Sequence, residues 1–312
     1  MKLHLDVDAF NDLIPITARF IGIPEDAVRR DYYIVLTLQK LERSESAASC
    51  VFKGGTSLSK CYPGTIMRFS EDIDLTYIPL HDETDKQINK KLKHIEQVMS
   101  EGAAIKKIPE ERNARNKSAY IWFDNDQNTK IKLEIGSSVR PDPFDTRQIK
   151  SYIHEYLGSC DMYEAITQYE LEPVNVNALR IERTFLDKVM AVKRHAMCKN
   201  LKNKVRHIYD VTMLMERPEI KAFLSDKEQL KHLVRLTKET DSYYLEKRHI
   251  SKEYNPLGNY GFKKWEHYFD EEVRAIYEEL HLTLLYTDEP QSFDQAIDAF
   301  REINDILEDV DE

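Results

Sequence analysis

The hydrophobic pattern changes once along the chain, near residue 180, and this change constrains the fold more than any other feature. Before it, short runs such as Ile73, Leu75 and Tyr77 alternate with polar residues, a period of two that is typical of strands. Only nine glycines and eleven prolines among 312 residues favour long helices over a turn-rich all-β fold. After Arg180 the apolar spacing is helical over residues 180–198, 202–216, 225–239, 263–281 and 292–308. We therefore predict an α+β protein with a small mixed sheet in its first half and a helical second half.

The first half contains helical segments as well as strands. Residues 7–43 have the apolar spacing of two helices, and residues 84–101 have that of a third. Further strand patterns occupy residues 50–52, 119–123 and 129–139, the last two joined by a turn at residues 124–126. We place a domain boundary after residue 160. An α/β domain with N-terminal helices would span residues 1–160, and a helical domain residues 161–312.

Composition excludes several classes of protein. No stretch of about 18 uncharged apolar residues occurs and the first residues lack a signal-peptide pattern, so neither membrane spanning nor secretion is expected. The four cysteines are far apart without zinc-ligand spacing, which fits a reducing cytoplasm. The net charge of −10 is concentrated in residues 288–312, where ten acids and one base give −9. The rest of the chain is nearly neutral, so nucleic-acid binding is not excluded.

Two acidic side chains lie on the same face of the strand predicted around residues 72–77. Asp72 and Asp74 are two residues apart, so their carboxylates project from one face about 7 Å apart at the backbone. Like charges held that close raise a pKa unless a cation satisfies both, and oxygen ligands suit Mg²⁺. We predict that Asp72 and Asp74 bind Mg²⁺. The alternative, common for an isolated Asp-x-Asp pair, is a solvated strand edge.

A glycine-rich turn precedes the acidic strand and opens a predicted helix. Gly54, Gly55, Thr56 and Ser57 would offer an anion free backbone N–H groups, a positive dipole end and two hydroxyl groups. Phosphate is the expected anion. The two features together describe a site that holds a triphosphate at one end and its metal at the other, as phosphoryl and nucleotidyl transfer require.

Two more side chains extend this predicted site. Glu134 lies on the polar face of a strand pattern, and it would complete a two-metal site if that strand neighbours the acidic one. The alternative for Glu134 is an ordinary exposed Lys-x-Glu face. Arg68 either reaches a phosphate or pairs with Glu71.

Four motifs in order resemble those of the AbiEii/AbiGii, MenT-like toxin nucleotidyltransferases, a branch of the DNA polymerase β-like superfamily. The run GGTSLSK and the following R-x-SEDIDL are similar to the first motif, and the strand KLE resembles the second. The segments RTFLDK (Arg183–Lys188) and RHIYD (Arg206–Asp210) resemble the third and fourth. The resemblance covers about residues 50–215 and implies a polymerase β-like nucleotidyltransferase half with a small mixed sheet.

The third and fourth motifs add Lys188 and Asp210 to the expected site. Lys188 lies at the edge of an apolar helix face, where a lysine either binds a triphosphate or only covers the core with its alkyl chain. Asp210 is four residues from Arg206, a spacing that by itself predicts a surface ion pair. On the resemblance, Lys188 neutralises charge as pyrophosphate leaves, and Asp210 orients Lys188 or a substrate group.

The resemblance implies a toxin encoded beside a cognate antitoxin, in a toxin–antitoxin or abortive-infection system of phage defence. Such an enzyme would use two Mg²⁺ ions held by Asp72, Asp74 and Glu134 to transfer nucleotides from an NTP to RNA, with a tRNA 3′ end as the favoured acceptor. Two alternatives stay open. The acceptor is a protein or small-molecule hydroxyl in one, and the chain is a non-catalytic nucleotide-binding interaction protein in the other.

Two segments of the second half are candidates for RNA contact. The first is a run of cations that either contacts phosphates or forms a solvated face: Lys193, Arg194, Lys199, Lys202, Lys204 and Arg206. The second mixes aromatic rings with cations and either stacks bases or packs in a core: Tyr243, Tyr244, Arg248, Lys252, Tyr254, Tyr260, Lys263, Lys264 and Trp265.

Overall fold

The chain forms two compact units, of which the first carries the sheet and the second is helical. The computed structural model describes residues 1–124, 129–245, 254–283, 285–287 and 291–311. The first unit comprises Met1–Cys61 and Phe69–Leu179, and the second comprises Tyr62–Arg68 and Arg180–Glu312. The units change over at Leu179, after the last strand of the sheet, whereas the predicted domain boundary follows residue 160. The division of the chain into two domains after residue 160 therefore stays a prediction.

A mixed sheet forms the centre of the first unit, which confirms the predicted fold class. Among the described residues its strands are β1 (Cys50–Lys53), β2 (Asp72–Tyr77), β3 (Ala104–Lys107), β4 (Asn116–Trp122), β5 (Ile131–Gly136), β6 (Phe144–Ile149) and β7 (Val174–Leu179). Their order is β3-β4-β5-β2-β1-β7-β6. β2 pairs with β5 and β1 with β7 in parallel, and the other neighbouring pairs are antiparallel. The parallel pairing of β2 with β5 brings the two predicted acidic strands side by side.

The first unit also contains helices, one of which covers one face of the sheet at β4 and β5. Those of the first unit are α1 (Val7–Ile21), α2 (Glu25–Glu42), α3 (Gly54–Cys61), α4 (Asp85–Met99), α5 (Tyr152–Ser159) and α6 (Tyr163–Gln168). α4 contacts β4 and β5. Lys117 of β4 lies within electrostatic reach of Lys93 and Glu96 of α4, so α4 lies on the face that Lys117 shares with the buried Ile121. The opposite face carries the alternating polar residues of β2 and β5.

The second unit is built from helices around an aromatic core. They are α7 (Ile181–Met197), α8 (Val205–Met215), α9 (Pro218–Ser225), α10 (Lys227–Leu245), α11 (Glu271–Thr283) and α12 (Phe293–Asp311). Phe262 and Trp265 are buried and contact the ring of Phe300 in α12. Tyr260 is also buried, against Trp265. For these rings the core-packing alternative holds rather than base stacking.

Other predicted features fall outside the described part of the chain. They are Asn125 and Asp126 of the predicted turn, the side chains of Tyr243 and Tyr244, and the residues Arg248 and Lys252. Among the described residues, none of the helices combines the length and apolarity that crossing a membrane requires.

A buried ion pair joins α2 to α3. Lys60 Nζ lies 2.6 Å from Asp31 Oδ1, and Asp31 Oδ2 accepts a hydrogen bond from the backbone N–H of Tyr152 at 2.7 Å. The Asp31 and Lys60 side chains are 6% and 5% exposed. Water therefore cannot replace either partner when the other is removed.

We predict that Asp31→Ala lowers the free energy of unfolding by about 3–5 kcal/mol, because it leaves the Lys60 ammonium buried and unpaired. Urea denaturation measures the change. Asp82→Ala removes an exposed aspartate and should cost no more than about 0.5 kcal/mol. The double variant Asp31→Leu/Lys60→Met removes both charges and should recover most of the loss. Equal losses in Asp31→Ala and the double variant would contradict the prediction.

Candidate active site

Three predicted carboxylates lie on the open face of the sheet, opposite α4. The register of the parallel pair puts Asp72 beside Lys132 and Asp74 beside Glu134. Burial alternates over the first four residues of β2 and along all of β5, so these four side chains share the polar face while the residues between them are buried. The strand adjacency on which the prediction for Glu134 depends is therefore present.

The three acids repel one another. Burial, and after it the charges of Asp74 and Glu134, raise the pKa of Asp72 to about 6 against the opposing ammonium of Lys132. Asp72 thus lies within electrostatic reach of both other acids. A divalent cation relieves such repulsion, because carboxylate oxygens are hard ligands that Mg²⁺ accepts.

The donor set fits a divalent cation for the aspartate pair and only in part for Glu134. Lys132 Nζ lies 2.5 Å from Glu134 Oε1 and 2.9 Å from Glu111 Oε2. Over the ranges described here, no three His, Cys, Asp or Glu side chains form a ready metal-binding cluster. Glu134 would join a metal bound by Asp72 and Asp74 by leaving Lys132.

The glycine turn lies directly against the acidic pair. Lys53, the last residue of β1, is opposite Asp74, and α3 begins at the next residue, Gly54. Gly54 has φ +84°, and a Cβ at this position would overlap Oδ2 of Asp74. Glycine is therefore required twice, for the left-handed backbone and for the close approach of the carboxylate. The same turn places the N-terminal end of α3, with its unpaired N–H groups and positive dipole, next to the acids.

The hydroxyl groups predicted to hold phosphate are engaged within the protein. Thr56 and Ser57 are both buried. Thr56 Oγ1 donates to Ser70 Oγ at 3.0 Å, and Ser57 Oγ donates to the carbonyl of Phe52 at 3.3 Å. Their phosphate roles stay predictions, and the backbone at Gly54 and Gly55 is the more accessible part of this turn.

A second group of predicted residues meets inside the second unit. Asp210 has no exposed surface and accepts hydrogen bonds from Arg68 Nε and Nη2, both at 2.7 Å, and from Lys188 Nζ at 2.8 Å. Burial would raise the pKa of Asp210, but the two cations hold it far below its usual value. Two buried cations on one carboxylate leave a net positive charge. Asp210 also fixes the position of the Lys188 ammonium, which its predicted orienting role requires.

These contacts correct two alternatives considered for the motifs. The pairing of Arg68 with Glu71 is wrong, because Arg68 binds Asp210 while Glu71 binds Arg30 at 2.5 Å. The surface pair of Arg206 with Asp210 is also wrong, since Asp210 is buried against Arg68 and Lys188. Arg68 and Lys188, which share Asp210, are far apart in sequence, so residue spacing gave no signal that both would bind one carboxylate.

Sequence reasoning assigned no role to His207, which contacts Lys188. Its Nδ1 lies 3.4 Å from Lys188 Nζ. Burial lowers the pKa of His207 well below its usual value, and the nearby Lys188 and Lys204 lower it further. The neutral ring can accept a hydrogen bond from the ammonium. The only available signal was its position within the fourth motif.

The cationic run of the second half does not form a continuous basic face. Lys193 is buried and donates to the carbonyl of Asn259 at 2.6 Å, and Arg194 pairs with Asp241. Lys202 pairs with Glu272 at 2.9 Å. At least half of the run is thus held by protein groups, which disfavours it as an RNA track.

A comparison with known protein families agrees with the motifs. The family model of the nucleotidyl transferase AbiEii toxin, type IV toxin–antitoxin system, matches residues 36–299, a range that includes every predicted site residue. Among solved structures, the nucleotidyltransferase toxin MenT4 from Mycobacterium tuberculosis H37Rv is similar, with 16% identity and a TM-score of 0.49. That match covers 95% of this chain and 98% of the MenT4 chain. No curated protein matches the sequence.

We predict that Asp72→Asn stabilises the metal-free protein at pH 7 by about 1–3 kcal/mol. The folded-state pKa of Asp72, about 6, lies above its ordinary value, so the ionised carboxylate destabilises the fold at neutral pH. This cost disappears as the pH falls below about 4, where folded and unfolded states both bind the proton. Urea denaturation in EDTA across this range measures it. Asp145→Asn on β6 is the control, and a loss of stability in Asp72→Asn at pH 7 would contradict the prediction.

Proposed function

The chain belongs to the AbiEii nucleotidyltransferase toxin family of type IV toxin–antitoxin systems, and from this premise we propose that it transfers nucleotides from an NTP to RNA. Membership in the family implies an NTP substrate, a divalent metal and a cognate antitoxin. Our proposal adds Mg²⁺ as the metal, two ions per site, the 3′ end of a tRNA as the favoured acceptor, and a role in abortive infection and phage defence.

One observation carries the proposal. Asp72 and Asp74 share a sheet face with Glu134 in register, and Asp74 lies against the glycine turn at the start of α3. Carboxylates that gain by binding a cation are therefore next to backbone groups that favour an anion. In a metal–triphosphate complex, the positive metal would meet the carboxylates and the negative triphosphate would meet the backbone groups.

Each residue then has a role within its own unit. When bound, a divalent cation would activate the attacking hydroxyl and stabilise charge on the phosphates. Asp72 and Asp74 would hold it, and Glu134 would join them after release from Lys132. The backbone at Gly54 and Gly55 faces the triphosphate, with Thr56 and Ser57 behind it.

The buried cations of the second unit keep the roles that the resemblance implies. We propose that Lys188 neutralises charge as pyrophosphate leaves, and Asp210 fixes the Lys188 ammonium by direct contact. Direct phosphate binding was one of the two alternatives for Arg68. Its bidentate contact with Asp210 supports a positioning role instead, in which Arg68 keeps Asp210 ionised and in place.

The acceptor is tested by incubating the protein with each labelled NTP, Mg²⁺ and a whole-cell lysate, followed by separation of RNA from protein. We expect label on one RNA size class with one nucleotide. Asp74→Ala should reduce transfer to background, because it removes a metal ligand, while Asp145→Ala on β6 should keep full activity. Label on protein would overturn the RNA acceptor, and full activity of Asp74→Ala would remove the acidic pair from the mechanism.

The close approach of Asp74 to Gly54 gives a second test with a matched control. Gly54 and Gly22 both have positive φ, +84° and +82°, but a Cβ at Gly22 would meet nothing within 4 Å. Both alanine substitutions should cost about 1–2 kcal/mol of stability for the left-handed backbone. Only Gly54→Ala displaces the Asp74 carboxylate, so only it should lower transfer, by about 100-fold. Equal activity in the two folded variants would show that the contact is dispensable.

A further inference from the structure

A row of side chains crosses the sheet from its edge to the acidic pair. Strand pairing places Lys106 of β3 beside Tyr120 of β4, Tyr120 beside Lys132 of β5, and Lys132 beside Asp72 of β2. Paired residues in a sheet share a face, so the row lies on the open face with the carboxylates. Three strand spacings separate its ends, about 14 Å. Trp122, two residues after Tyr120, lies on the same face.

This face combines an exposed ring with cations. Tyr120 is 37% exposed, and Lys106 on the edge strand is exposed. Lys130 Nζ lies 5.6 Å from the ring centroid of Trp122. Lys132 is committed to Glu111 and Glu134, so it contributes little free charge. Aromatic rings that alternate with lysines along an open surface are the composition that binds single-stranded nucleic acid, by base stacking and phosphate contacts.

The strand order separates this face from the predicted triphosphate end. β1 and the N-terminal end of α3 lie on one side of β2, while β5, β4 and β3 lie on the other. Phosphates at Gly54 therefore approach the carboxylates from the β1 side. A strand that lies across Tyr120 approaches from the β5 side, where Glu134 stands between Asp74 and Ser118 of β4.

We propose that the open face of β3, β4 and β5 binds the single-stranded 3′ end of the acceptor RNA, with the Tyr120 ring stacking on a base and Lys106 contacting a phosphate. This inference rests on the proposed function in that it takes RNA as the acceptor. It names the surface that would deliver the acceptor hydroxyl to the acidic pair.

Fluorescence anisotropy with a 5′-labelled oligocytidylate RNA tests the surface without requiring transfer. Tyr120→Ala should raise the Kd about 5- to 100-fold, while Tyr120→Phe, which keeps the ring, should bind within about 2-fold of the unchanged protein. Lys106→Gln should reduce the slope of log Kd against log salt by about 0.7, one phosphate contact on a single strand. Tyr163→Ala is the matched control, because Tyr163 is 61% exposed on α6. Circular dichroism checks that each variant is folded.

The outcomes separate this inference from the proposed function. Weak RNA binding by Tyr120→Ala, with unchanged binding of NTP and Mg²⁺ by calorimetry, supports it. Equal effects of Tyr120→Ala and Tyr163→Ala, or a loss confined to NTP binding, would overturn it. RNA transfer that is unaffected in Tyr120→Ala overturns the inference and leaves the proposed function standing. If RNA binding depends on the Tyr120 ring but nucleotides are transferred to no RNA, the inference stands and the proposed function is overturned.

Discussion

Repulsion among carboxylates on neighbouring parallel strands is the constraint on which the rest of the first unit depends. The pairing of β2 with β5 holds Asp72 and Asp74 beside Glu134, and burial together with like charge raises the pKa of Asp72 to about 6. A fold selected only for stability would not retain this arrangement, because it costs free energy at neutral pH. The cost is explained if a cation is part of the working state, as nucleotidyl transfer requires.

The carboxylates on the sheet face and the buried group around Asp210 have opposite excess charge. On the open face of the sheet negative charge is in excess, and Lys132 offsets part of it through its contact with Glu134. Around the buried Asp210 positive charge is in excess, because Arg68 and Lys188 share its single carboxylate.

The features of the fold and site that could be predicted are those set by residues close together in the chain. Alternation predicted β2 and β5, and the helical spacing after Arg180 predicted every α-helix described there except α9, because the apolar faces of these elements are buried. The edge strands β3 and β6 were missed, since nearly all of their residues are partly or fully exposed and no alternation marks them. β7 was missed because it lies between residue 160 and Arg180, where no element was predicted.

The sequence by itself determined which residues are acidic, which turn needs glycine and which strand faces are polar, since these follow from local spacing and from the chemistry of each side chain. Tertiary structure decided the partners. Arg68 reaches Asp210 rather than its neighbour Glu71, Glu134 lies beside Asp74, and Tyr120 lies beside Lys132 on the neighbouring strand. Such pairings depend on the order and register of strands and helices that are distant in the chain. Only packing sets that order. A carboxylate binds whichever cation the fold brings within reach, so packing also decides its partner.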